Sequence, residues 1–229
     1  MRYFGLLSAT LLAVPAVAPS QVTVVDEGSF TISRSGTKIG RESFTIRRTA
    51  GPGGDVYVAN ATVEFDAERL SPALRADGSF APLAYQLEVR SGGEVRERLR
   101  AIVGRGRISA QVQTAKGEST KEYIVADGAL VLDDNVFHQY YFLARRASKS
   151  GSATVPVVVP QRNTQVVMRV NSQGNDAVSI GGRSVAARVL VLTEPGGGTR
   201  HIWVDDQGRV LKVVLDARGV TALRDEPPR

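Results

Sequence analysis

From Val22 onward, apolar and polar residues alternate with a period of two along most of the chain. Val22 and Val24, then Phe30 and Ile32, point one way; after a turn at residues 35–38, Phe44 and Ile46 repeat the alternation within 39–48. That period is the mark of a strand with one buried face. The same pattern predicts strands at 56–65, 82–89, 94–103, 107–114 and 119–126, then at 164–170, 177–180, 184–193, 199–204 and 210–215, with a last one at 220–223. Gly-rich or Asp-Gly turns separate them, so neighbours are expected to pair antiparallel. Residues 66–75 suit a helix by composition, but Pro72 and the spacing of Leu70 and Leu74 favour a bent strand. Val155 to Pro160 is apolar and carries two prolines, which cannot donate to a ladder, so it is expected on a sheet edge.

One stretch breaks the rhythm. In LDDNVFHQYYFLARR, residues 132–146, Val136, Phe137, Tyr140, Tyr141, Leu143 and Ala144 fall within an arc of roughly 160° at helical spacing. A helix over about 134–147 follows. Asp133 and Asp134 suit its positive end as caps, and Arg145 and Arg146 suit its negative end. His138 and Gln139 fall on its polar side. A long antiparallel sheet must curl and cover its open face. The fold expected is therefore mainly β: a curved sheet, an incomplete barrel, wrapped around one central helix.

Size and composition narrow the classes. The 229 residues suit one domain, expected over 21–224 with a flexible tail at 225–229. There is no cysteine, which excludes a disulfide, a thiolate metal site, a cysteine nucleophile and a lipid-modified N-terminal cysteine. The net charge of +6 is carried mostly by arginine and spread along the chain, so it reads as a solvated basic surface rather than a nucleic-acid site. Residues 1–20 have a positive start at Arg2, an apolar run at 4–14 too short to span a bilayer comfortably, and small residues before Gln21. This is the form of a secretory signal peptide, so a periplasmic or secreted location is expected, with no membrane span after cleavage.

Candidate chemistry is sparse. His138 and His201 are the only histidines and lack metal-ligand spacing. Residues 182–186 lack the final glycine and the helix of a nucleophile elbow. Residues 205–208 (DDQG) fit a tight turn better than a calcium loop. No catalytic residue, metal or cofactor is expected. The rings of Phe137, Tyr140 and Tyr141 on the helix, with Tyr85 and Trp203 on strands, are the candidate lining of an apolar ligand site; packing in a core is the plainer role for them.

At Pro82-Leu83-Ala84-Tyr85, at the central helix, and at the hairpin WVDDQGRVL of residues 203–211, the chain resembles exported bacterial β-rich proteins of unknown function. These are similar in architecture to the lipoprotein-localisation carriers (LolA/LolB-like). The resemblance implies an incomplete barrel closing over a helix and an apolar cavity for acyl chains. Sequence and resemblance together point to a non-catalytic binding protein for an apolar or lipid-like molecule. The alternative is an envelope structural or interaction protein with a solid core and an exposed pairing edge, whose partner is another envelope protein. Nucleic acid is not expected as a partner.

Overall fold

The computed structural model describes residues 21–51, 53–147 and 152–229. The proposed signal peptide and most of the polar link after the helix lie outside these residues. The strands are β1 (Val22–Arg34), β2 (Thr37–Thr49), β3 (Val56–Phe65), β4 (Glu68–Asp77), β5 (Pro82–Ser91), β6 (Glu94–Gly104), β7 (Arg107–Thr114) and β8 (Gly117–Ile124). Then come β9 (Leu130–Val131), the helix α1 (Tyr140–Ala147), β10 (Ser152–Val159), β11 (Thr164–Ile180), β12 (Arg183–Glu194), β13 (Gly198–Val204), β14 (Val210–Leu215) and β15 (Val220–Arg224). All fifteen strands form one open sheet in the order β8 to β1, then β15 to β9. Every pairing is antiparallel except β9 with β10. The first and last strands meet in the middle of the sheet, with Phe30 opposite Arg224 and Arg34 opposite Val220.

Alternation places most of the core as the sequence predicts, but a bulge between Val24 and Asp26 turns Val22 and Val24 to the outer face, opposite to Phe30 and Ile32. Phe30, Ile32, Phe44, Ile46, Leu74, Tyr85, Leu87, Leu99 and Ile108 all face inward and are buried. Residues 68–77 form a strand, and its proline leaves a visible mark. The β3–β4 ladder pairs Asn60 with Ala73 and Val63 with Leu70 but lapses opposite Ser71 and Pro72, where the missing N–H interrupts it. β11 runs unbroken through both stretches read as separate strands, with a bulge between Ser172 and Gly174. Beyond that bulge the β11–β12 hairpin lies over the outer face, where Val178, Ile180 and Ala187 pack with Leu211 in a second small core.

The helix differs from expectation in two respects. It starts at Tyr140 rather than near 134, and it has no wet face: Tyr140, Tyr141, Phe142, Leu143, Ala144 and Ala147 are all buried. A helix apolar on nearly every side belongs inside a core, and this one fills the concave side of the sheet.

The proline-bearing segment lies at one end of the sheet, as expected: residues 152–156 of β10 pair with β11 only, whereas Val157 and Val158 also pair with Leu130 and Val131 and are fully buried. β8, at the other end, is bonded on one side only and is exposed along most of its length, so it is the longer open edge. Among the described residues no helix is long and apolar enough to cross a membrane.

Candidate interior site and its polar anchors

The caps expected from Asp133 and Asp134 are supplied instead by Glu42, from β2. Its inward-facing carboxylate accepts the backbone N–H groups of Phe137 at 2.6 Å and His138 at 2.9 Å. The same group sits 2.5 Å from His138 Nδ1. A carboxylate meeting free N–H groups at the start of a helical turn is favoured by both hydrogen bonding and the local dipole. His138 is thus buried in the turn before α1, stacked on Phe44, and not on a polar helix face. Its Nε2 and the Nε2 of Gln139 have no hydrogen-bond partner among the described residues.

Asp133 does a different job. Its side chain accepts the Tyr85 hydroxyl at 2.7 Å and the Gln161 N–H at 2.8 Å, while its own N–H donates to Gln139 Oε1 at 2.6 Å. Burial pushes its carboxyl up to about 7, with smaller upward contributions from Asp134 and Glu97 and opposing ones from the bonds to Gln161 and Tyr85. Burial, and then the neighbouring Asp133 charge, hold the Tyr85 hydroxyl well above its usual value.

These directions give a pH prediction. Between pH 4 and pH 7 folded Asp133 keeps a proton that the unfolded chain has lost, so stability falls as pH rises through that window. The fall is about 1.4 kcal/mol per pH unit at most. Asp133→Asn keeps an acceptor, and Tyr85 can turn to accept from the amide. Urea denaturation from pH 5 to pH 7.5 is expected to show a shallower pH dependence in this variant than in the wild type; equal slopes would contradict the assignment.

At the mouth of the barrel, ion pairs close over the first turn of the helix. Asp134 binds Arg218 at 2.8 Å and Arg162 at 3.2 Å, and Arg162 reaches Glu194 at 3.2 Å. Arg200 donates to Glu194 at 2.7 Å and to the Tyr140 hydroxyl at 2.8 Å. The cleft that Phe137 and Tyr140 line beneath this network has a volume of about 40 Å³, room for a few waters at about 10–15 Å³ each. Tyr141 packs edge-on against Phe80, which Arg145 also covers.

The structure therefore brings Phe137, Tyr140, Tyr141 and Tyr85 into one interior and leaves each nearly inaccessible. Trp203 lies elsewhere. It faces outward from β13 against the small core under the hairpin, its Nε1 donating to Asp176 at 2.8 Å and the Lys212 ammonium 4.6 Å from its ring. His201, also outward on β13, lies 3.1 Å from Asp216. A larger opening of about 440 Å³ lies at the rim of the inner face beside Asp26, Phe44 and Arg224, and one of about 850 Å³ lies on the outside between the hairpin, Asp206 and Pro228. No cluster of His, Asp and Glu suited to a metal ion occurs among the described residues.

Sequence reasoning missed Glu42, Arg200 and the buried pair Asp26–Arg224. Glu42 left a signal, since it occupies an inward position between Gly40 and Phe44 on an alternating strand. Arg200 left the same signal, alternating with Ile202 and Val204 on β13, and its partner Glu194 is only six residues away; Asp26 and Arg224 are paired across 198 residues, which sequence spacing does not reveal.

Among solved structures, the chain is similar to a beta-barrel-like protein of domain of unknown function DUF1849 from Brucella abortus. The two share 10% identity and a TM-score of 0.56 over 89% of this chain and 96% of that one. A DUF1089 family protein from Pseudomonas aeruginosa matches at 16% identity and a TM-score of 0.41, over 90% of this chain and 94% of that one. The first likeness supports the β-barrel-like architecture and nothing finer. No curated protein matches the sequence. A family model matches residues 29–218, from β1 to the turn before β15, and the chain accordingly belongs to DUF3108, a family of proteins of unknown function.

Proposed function

We propose that this is an exported, non-catalytic interaction protein of the cell envelope, a half-barrel with a solid core that presents β8 to a partner strand. The observation that carries this reading is the contrast between a filled interior and an open edge. The helix rings pack where an acyl chain would sit, whereas β8 has a ladder on one side only. An unpaired edge offers a row of N–H and C=O groups to an added strand. Self-pairing is disfavoured by charge. In an antiparallel β8–β8 pair with matched faces, the central registers set Lys121 opposite itself or Glu118 opposite Glu122. The partner is therefore a different chain.

A photocrosslinking residue placed at Thr120 or Glu122 on β8 is expected to give a discrete protein adduct in the intact envelope, and one at Ser184 on the hairpin is not. Equal labelling from all three sites, or none from β8, would end this reading. A second reading follows the carrier likeness: the mouth closed by Asp134, Arg162 and Arg218 opens to admit a lipid-like molecule against Phe137 and Tyr140. What favours it is that these two rings line the mouth cleft.

A further inference from the structure

The arginines look scattered in sequence, but the strand registers gather them. One cross-strand row on the outer face runs Val24, Arg47, Val58, Arg75, Ala84, Ile102 across β1 to β6. At about 4.8 Å per strand the row is roughly 24 Å long, with apolar side chains and guanidinium groups alternating in its first four places. Val24 is 49% exposed and Ile102 71%, among the most exposed large apolar side chains described. Arg47 and Arg75 are exposed too, and neither has a carboxylate within ion-pair distance among the described residues.

The neighbouring row adds Arg100 between Gln86 and Gln111, again without a carboxylate. Of the acidic residues on this side of the sheet, Glu88 holds Arg90 and Arg98 and Glu122 holds Arg107, while Glu27, Glu64, Asp77 and Glu118 lie outside the row and come within ion-pair distance of none of its arginines. The core-facing neighbours Ile46, Ala59, Leu74 and Ala101 are buried, so this is the convex face and no other layer covers it.

Free cations alone would fit any polyanion. Cations interleaved with exposed aliphatic side chains fit one partner better: a bilayer surface, whose phosphates meet the guanidinium groups while the aliphatic groups enter the headgroup boundary. Nucleic acid would be matched by aromatic rings for stacking, and this row has none. We propose that this convex row is a docking surface for anionic lipid headgroups, so that the barrel lies side-on against a membrane leaflet.

The test uses the full chain and vesicles of phosphatidylcholine alone or mixed in equal parts with phosphatidylglycerol. The readout is the ratio of partition constants, anionic over neutral, which cancels any apolar contribution from the N-terminal segment. The wild type is expected to favour anionic vesicles and to lose that preference at about 0.5 M salt. R47Q/R75Q is expected to lower the ratio about 25-fold, roughly fivefold per arginine. Both residues are exposed, so folding is expected to survive, and the wild-type salt titration stands without the variant. A wild-type ratio near one, a ratio unchanged in R47Q/R75Q, or tighter binding to heparin than to anionic vesicles would each overturn the proposal.

Discussion

Replacing Glu42 by alanine is expected to destabilise the protein by about 3–5 kcal/mol, among the largest effects of any single substitution here. The carboxylate is completely buried and holds Phe137 N–H, His138 N–H and His138 Nδ1. Its removal leaves three buried polar groups unpartnered, each costing about 1–3 kcal/mol, with some relaxation of the loop offsetting the sum. Glu42→Gln keeps one oxygen acceptor and loses less. Urea denaturation followed by circular dichroism gives both values. A wild-type midpoint for Glu42→Ala would mean that the interior turn before the helix is not held from β2.

The second large effect concerns Asp26 and Arg224, the buried pair that links the first strand to the last. Arg224 donates to both Asp26 oxygens, at 2.7 and 3.1 Å, and to the backbone carbonyls of Glu27, Glu226 and Val210, with its guanidinium 5.3 Å from the centre of the Phe44 ring. Burial raises the Asp26 carboxyl, with the Arg224 bond and charge opposing. Asp26→Ala leaves a guanidinium buried without its counter-ion and is expected to cost about 3–5 kcal/mol. The double change Asp26→Leu with Arg224→Leu removes both charges and is expected to cost less than either single change. A double-mutant cycle in urea measures this, and simple additivity would contradict it.

How much of this was legible beforehand depends on the range of the interaction. Alternation fixes which side of β2, β5 or β7 faces inward, because side-chain direction is a local property of extended backbone. Ile46 and Tyr85 therefore lie on the buried side, as alternation predicts. The rings of Phe137, Tyr140 and Tyr141 form one apolar group as the helical spacing predicts, and the plainer reading of them as core matches their burial; Phe142 and His138, which that spacing puts on the polar side, are buried as well. The helix start was missed because its cap comes from a residue 95 positions away, whereas capping rules look only at neighbours. Trp203 was grouped with the interior rings, although its position on β13 alternates with Ile202 and Val204 and puts it on the opposite face. Arg47 and Arg75 looked dispersed for a related reason: Val58 joins them into one row only through cross-strand register, which sequence spacing does not reveal.

An interior filled by its own helix is the feature on which the proposed function depends. Native mass spectrometry of the protein purified from its own envelope, followed by organic extraction, tests that most directly. The expected result is the bare polypeptide mass with no acyl lipid released on denaturation. One acyl lipid per chain, lost when Phe137 and Tyr140 are enlarged or the mouth is cross-linked, would contradict it.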